Sequence, residues 1–411
     1  MDASIFPESP FEPGHHVSPD NFKGREDDIV KIIRYMPKII NKGIPEHFFV
    51  IGKRGMGKTS FVKYVGNKVE NDFQMLSIYL NNEGKDSIED LIQLILESIF
   101  KELDKTKKGK KIIEKFFNSI NEIKLPGVGI SLDHKPDFVK NVKNNFSDFL
   151  LNISNSLNDY NGIFLIIDDI NGLSKTSDFP NWYKGLSETI DFSDKKVPIA
   201  FTLVSYRENF NKLTQHNPSF SRIFHIVEID HLDDADIETF FVENFSKYNI
   251  TFENEKSLRE MVYYSWGMPL AMQQIGEETF WNVKSNTITE EIALKGILNA
   301  AIEIGKKQIS LILDLIENDE YDNILLKLGK NKLIEFEKSE LTSLLSDDEN
   351  MIVDDFLVQM TSLNILENVG RKANEKYTFT NRLYFVYFLI KAKFSWWFSS
   401  IFDGYNDGYF N

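Results

Sequence analysis

The octet Gly52-Lys53-Arg54-Gly55-Met56-Gly57-Lys58-Thr59 satisfies G-x-x-x-x-G-K-[S/T] at every position. Glycines at that spacing let backbone N–H groups turn inward around phosphate oxygens, and a helix starting at the lysine offers its positive end to the same anion. The flanks fit this reading. His47 to Ile51 is a short apolar run that predicts a buried strand, and Phe61, Val62 and Val65 give the following helix an inward face. The segment predicts a nucleoside triphosphate site with Mg²⁺, and ATP is the expected nucleotide. Lys58 would reach the β/γ-phosphates, the Thr59 hydroxyl would ligate Mg²⁺, and the backbone from Gly52 through Ser60 would enclose the phosphates.

A second apolar run, Gly162 to Ile167, ends in Asp168-Asp169. A buried strand that delivers carboxylates to its carboxyl end suits Asp168 for holding Mg²⁺ through water and Asp169 for orienting the attacking water. Met75 to Leu80, Val197 to Val204 and Ile223 to Ile229 predict further strands. Helices are expected from Glu26 to about Ile40, over Ile88 to Leu103, and along the stripe Phe138, Val142, Phe146, Phe149, Ile153, Leu157. Strands alternating with amphipathic helices imply an α/β fold with a parallel sheet and a ligand site at its carboxyl edge.

The rest of the chain predicts other architecture. Residues 1–20 hold four of the 12 prolines, which suits an extended arm. Eight lysines at 101, 105, 107, 108, 110, 111, 115 and 124, followed by Pro126 to Leu132 as a small strand or hairpin, read as an insertion over about 101–136. From Asp233 to Gln308 the pattern is wholly helical. The expected division is an arm 1–20, an ATPase core 21–232, a helical lid 233–308, a winged helix 309–394 and an aromatic tail 395–411.

A net charge of −15 means that any nucleic acid would need a local basic patch, and the absence of cysteine excludes disulfides and thiolate metal sites. The start Met1-Asp2-Ala3-Ser4 shows neither a basic n-region nor an apolar h-region, so no signal peptide is expected. Leu383 to Phe402 is the one stretch with the apolar character of a span, but Lys391 and Lys393 near its centre would each cost about 3 kcal/mol in a bilayer, so a buried helix and a cytoplasmic protein are expected.

These residues resemble the AAA+ and STAND branches of P-loop ATPases, above all the prokaryotic ATPases related to origin-recognition proteins. Phe22-Lys23-Gly24-Arg25-Glu26 is similar to the F-x-G-R-E box ahead of the first strand, which implies that Phe22 and Arg25 lie against the adenine. Ser205-Tyr206-Arg207 is similar to the T-T-R of STAND ATPases, implying that Arg207 senses the γ-phosphate. Ser221-Arg222-Ile223-Phe224 resembles the S-R-F box, implying that Arg222 serves as an arginine finger for a neighbouring subunit. Gly267-Met268-Pro269-Leu270-Ala271 resembles G-L-P-L-A, implying that Pro269 packs near the adenine and couples nucleotide state to domain closure. The chain departs from origin-recognition ATPases in having Asp168-Asp169 for the usual Asp-Glu, and Gly-x-Pro where those carry a helical-domain arginine. Both departures lean to the STAND side and imply a nucleotide-gated switch with slow hydrolysis. Its partner would be a second copy or an effector protein; defence against mobile elements is one setting for such proteins in microbes.

In the carboxy-terminal third, Ile309 to Leu328 and Ser339 to Leu345 predict helices, with Ser339 as N-cap, and Ile352 to Leu363 takes the recognition-helix position. Ile365 to Val369 and Lys376 to Thr380 bracket a wing carrying Arg371 and Lys372. Asp347, Asp348, Glu349, Asp354 and Asp355, with no Lys or Arg between 347 and 364, oppose phosphate contact by that helix. The lysine run from 101 to 124 is the better candidate for nucleic acid or another acidic partner, although a solvated basic helix face is the reading its composition favours. Trp396, Trp397, Phe398, Phe402, Tyr405, Tyr409 and Phe410 form either a cover or a docking strip. Two other readings stay open: an initiator-like DNA-binding ATPase using the winged helix, and a nucleotide-binding scaffold without useful hydrolysis.

Overall fold

The structure is a computed structural model, and it describes residues 8–15, 22–104, 136–157, 159–192, 196–316, 319–370 and 375–393. The lysines from 105 on, the Pro126–Leu132 hairpin, Arg371, Lys372 and the tail aromatics lie outside the described residues. The chain divides into two compact units, residues 16–230 and residues 1–15 with 231–411.

The unit 16–230 is built on five parallel strands: β1 Glu46–Gly52, β2 Leu76–Asn81, β3 Ile163–Asp168, β4 Ile199–Ser205 and β5 His225–Ile229. Their order is β2-β3-β4-β1-β5. Every residue of β1, β3 and β4 is buried, and strands covered on both faces read as continuous apolar runs rather than alternating ones. The helices are α1 Glu26–Ile33, α2 Met36–Lys42, α3 Lys58–Phe73, α4 Ile88–Asp104, α5 Pro136–Asn144, α6 Phe146–Ser156, α7 Asp178–Asp191 and α8 Arg207–His216. Leu96, Leu150, Leu165 and Leu203, all fully buried, belong to one apolar core.

Two helices expected to be continuous are broken. The helix predicted from Glu26 to Ile40 divides at Arg34-Tyr35, because Pro37 has no N–H to donate and its ring crowds the carbonyl four residues back. The stripe from Phe138 to Leu157 divides at Asn145, whose φ of −120° and ψ of 31° leave the helical region.

The other unit holds α9 Asp234–Ser246, α10 Glu255–Ser265, α11 Pro269–Asn282, α12 Glu290–Ile304, α13 Leu311–Ile316, α14 Asp319–Lys330, α15 Lys338–Thr342, α16 Asp347–Ser362 and α17 Arg382–Lys393. The stretch predicted as wholly helical contains a two-residue parallel pairing, β6 Thr251–Phe252 with β7 Thr287–Ile288. A three-stranded antiparallel sheet follows in the order β8-β10-β9, from Glu335–Glu337, Lys376–Phe379 and Leu366–Asn368.

Ser339 is not a cap. Glu337 caps α15 in a box with Glu340, its longer carboxylate reaching the backbone one turn on. The helix expected at Ile352 starts five residues earlier, where Ser346 and Glu349 form a second capping box. The apolar stretch from Leu383 becomes α17, a core helix whose Lys391 Nζ donates to both oxygens of Asp322 at 2.9 Å. Among the described residues no helix is long and apolar enough to cross a membrane.

Candidate functional site

Parallel pairing puts all five carboxyl ends at one edge of the sheet. The loop after β1, the turn after β2, Asp168-Asp169 after β3 and Tyr206-Arg207 after β4 therefore converge there. Strand β4 lies between β1 and β3, so its carboxyl end separates the phosphate loop from the acidic pair.

The phosphate loop turns on two glycines at positive φ. Gly55 (φ 82°) and Gly57 (φ 79°) occupy the left-handed region, which a β-carbon would disfavour. Gly57 caps α3 without a side-chain cap bond, so the positive end of the helix faces the loop, where it suits an anion. Lys58 Nζ donates to the carbonyls of Gly52 and Lys53 at 2.9 Å and lies 4.4 Å from the Tyr206 ring centre. Burial lowers its pKa to about 8, against the opposing pull of Asp168, Asp169 and Glu208. This cradle of glycines, helix end and half-buried cation fits a polyphosphate.

Asp168 is 6% exposed and both of its oxygens are held: Tyr79 Oη donates to Oδ2 at 3.0 Å, and the Asp169 N–H donates to Oδ1 at 2.9 Å. A carboxylate accepting two such bonds retains lone pairs for water, so ligation of Mg²⁺ through water fits its chemistry. Asp169 stands in the left-handed region (φ 56°), and burial pushes its carboxyl above the usual range.

Other sequence-predicted residues are placed as follows. Arg25 (φ 68°) donates from Nη2 to the Met56 carbonyl at 3.0 Å, fastening the segment ahead of α1 to the phosphate loop. Phe22 stacks on Tyr64 of α3 at 4.6 Å. Arg207 is paired with Glu228 of β5 rather than with either aspartate. Arg222 is exposed just ahead of β5, level with the start of β1 and so at the sheet edge opposite its own phosphate loop. Pro269 belongs to the other unit, where it opens α11 beyond Gly267, whose carbonyl accepts from the Leu232 N–H at 2.9 Å.

Three residues at the site escape sequence reasoning: Tyr79, Asn171 and Asn209. Asn171 reaches Asp169 locally, two residues on, but Tyr79 meets Asp168 and Asn209 meets Asn171 only because β2, β3 and β4 are neighbours, and strand order is not written in any local pattern.

Fold and phosphate loop together define a P-loop ATPase. A family described as an ATPase domain predominantly from Archaea matches residues 25–275, and the chain belongs to that family. No curated protein matches it significantly. Among solved structures it is similar to a Walker-type ATPase of Pyrococcus abyssi, at 13% identity over 90% of this chain and 96% of that one, with a TM-score of 0.55. It is also similar to the ORC2 protein of Aeropyrum pernix in its ADPNP and ADP complexes, at 12% identity over 93% and 97%, with a TM-score of 0.57. At such identities the likeness is one of fold.

Proposed function

We propose that the chain is a nucleotide-gated switch of the STAND/AAA+ kind, which binds Mg·ATP at Gly52–Thr59, hydrolyses it slowly and thereby controls assembly with its own copies or a protein partner. The observation that carries this reading is the convergence of Lys58, Asp168, Asp169 and the end of β4 at one sheet edge. Lys58 and the first turn of α3 bind the phosphates. Thr59 and Asp168 would hold Mg²⁺, which neutralises charge developing on the phosphate oxygens. Asp169 orients the attacking water.

Arg207 supports a switch rather than a fast motor. Its pair with Glu228 is about half exposed on each side, and such pairs contribute no more than about 1 kcal/mol. A γ-phosphate, with more charge and a drier setting, can draw Arg207 off Glu228; hydrolysis returns it. Arg222, at the opposite sheet edge from its own loop, is suited to serve a second copy. The winged-helix reading of residues 309–394 rests on the three-stranded sheet with α15 and α16. The acidic exposed face of α16, with Asp347, Asp348, Asp354 and Asp355, favours a protein contact there over duplex DNA.

Oligomeric state by light scattering, with and without Mg·ATP, tests the proposal. A larger species is expected in ATP, lost in Arg222→Ala and kept in Lys53→Ala. A monomer in ATP with full turnover sinks the assembly role. Duplex DNA binding whose affinity falls steeply with salt would favour an initiator-like function instead.

A further inference from the structure

Asn171 lies in the short helical turn Ile170–Ser174 that follows Asp169, and its side chain uses both ends of its amide. Nδ2 donates to Asp169 Oδ1. Oδ1 accepts from Ser205 Oγ and from Asn209 Nδ2, both at 2.7 Å, with the Tyr206 N–H at 3.5 Å on the same oxygen. The polarity of the amide is thus fixed by its neighbours: the atom facing Ser205 and Asn209 must accept, and the atom facing Asp169 must donate. The single hydrogen of Ser174 Oγ is shared between the Asn171 carbonyl at 2.8 Å and Asn209 Oδ1 at 3.0 Å, which ties Asn209 to the same turn. Ser174 and Ser205 are buried, so these bonds form away from competing water.

This network joins the end of β3 to the end of β4. It also reaches Lys58, because Tyr206, between Ser205 and the first turn of α8, puts its ring 4.4 Å from Nζ. Asp169 needs such support. An aspartate at positive φ keeps that conformation only because its surroundings hold it, and its carboxylate is one methylene shorter than a glutamate's, so its aim depends on what grips it.

We propose that Asn171 is a positioning residue for hydrolysis: it aims the Asp169 carboxylate at the attacking water and ties that aim to the end of β4. The inference rests on the proposed role of Asp169 in orienting water. Removing a group that orients a reacting group commonly lowers activity about 10–100-fold. A misplaced carboxylate harms the chemical step and leaves nucleotide binding by Lys58 and the α3 N-terminus intact.

The test is a double-mutant cycle on the full chain, reading kcat for Mg·ATP hydrolysis and Kd for a fluorescent ADP analogue in Asn171→Ala, Asp169→Asn and the double variant. Asn171→Ala is expected to lower kcat at least tenfold with Kd unchanged within twofold. In the Asp169→Asn background the same change should have no further effect, because the group it positions is gone. Asn171→Asp keeps the acceptor for Ser205 and Asn209 but sets a second carboxylate against Asp169; it should also lose kcat. If Asn171→Ala does not fold, Ser205→Ala with Asn209→Ala releases the same grip from the β4 side and should lower kcat alone. Wild-type kcat in Asn171→Ala, or an equal loss in both backgrounds, overturns the positioning role. Full turnover in Asp169→Asn overturns the role of Asp169 itself.

Discussion

Tyr79 of β2 donates its phenol hydrogen to Asp168 Oδ2 of β3 at 3.0 Å, on the edge where the phosphate loop ends. Burial, with Asp168 adding to it, pushes the phenol's pKa up, so Tyr79 remains a donor at any working pH. It fixes one lone pair of the carboxylate and leaves the others in a defined direction. Tyr79→Phe is therefore expected to raise the Mg²⁺ concentration for half-maximal hydrolysis about tenfold or more. Metal-free nucleotide affinity should not move. Titrating ATPase activity against Mg²⁺ at fixed ATP checks this, and an unshifted midpoint would remove Tyr79 from the site.

Lys58 should separate function from stability. Burial brings its folded pKa to about 8, below the ordinary lysine value of 10.5, so the unfolded chain holds that proton more tightly. Stability therefore rises with pH between those values, and at pH 7 the lysine opposes folding to its full extent. Lys58→Met keeps the stem and removes the charge. Its melting temperature without nucleotide at pH 7 is expected to equal or exceed that of the wild type. Saturating Mg·ATP, worth about 2.7 kcal/mol to the wild type at one hundred times Kd, should shift the variant not at all. Differential scanning fluorimetry with and without Mg·ATP reads both.

What was legible in the sequence follows from what packing imposes locally. The strands β1, β3 and β4 were visible because burial on both faces demands uninterrupted apolar runs, and the phosphate loop because its glycines are required by backbone shape. The break at Asn145 was hidden, since the apolar stripe runs through it, whereas the break at Arg34-Tyr35 was signalled by Pro37 against a stripe that continues to Met36. Pairings of two or three residues, β6 with β7 and β8 with β10, carry too few side chains to show a period. Side-chain partners were the least legible. Arg207 follows a strand as a phosphate sensor would, but Glu228 is an acid on β5, on the far side of β1, and only the strand order puts them together.

The other end of β1 predicts a pH effect that is independent of nucleotide. His47 is buried, stacked on Phe201 at 5.0 Å, with Nδ1 2.8 Å from the Tyr183 hydroxyl. Burial lowers its pKa from 6.5 to about 4, Glu46 opposing and His225 assisting. The unfolded chain therefore binds a proton that the folded chain refuses between those values. Stability is fully present above pH 6.5 and falls as the pH drops toward 4, by about 2 kcal/mol at pH 5 relative to pH 7. Urea midpoints at the two pH values measure the fall. The double variant His47→Phe with Tyr183→Phe, which leaves neither partner orphaned, should lose that part of the dependence.

Phe11 predicts a structural role for the described part of the amino-terminal arm. Its ring is 3% exposed, with centroids 4.9 Å from Phe245 and 5.7 Å from Phe240. A β-carbon on Gly276 of α11 would meet the same ring at 2.3 Å, so the glycine makes the socket. The Glu12 N–H donates to Gln273 Oε1 at 2.9 Å, anchoring the next residue to the same helix. Phe11→Ala should cost about 3–5 kcal/mol, as expected for a large ring removed from a packed site. Gly276→Ala should cost about 1–3 kcal/mol by overpacking the same contact. Since the socket belongs to α9 and α11, amide hydrogen exchange should accelerate in residues 234–282. The affinity of Gly52–Thr59 for nucleotide, in the other unit, should be unchanged. Wild-type exchange in Phe11→Ala would mean that the arm contributes nothing to that unit's stability.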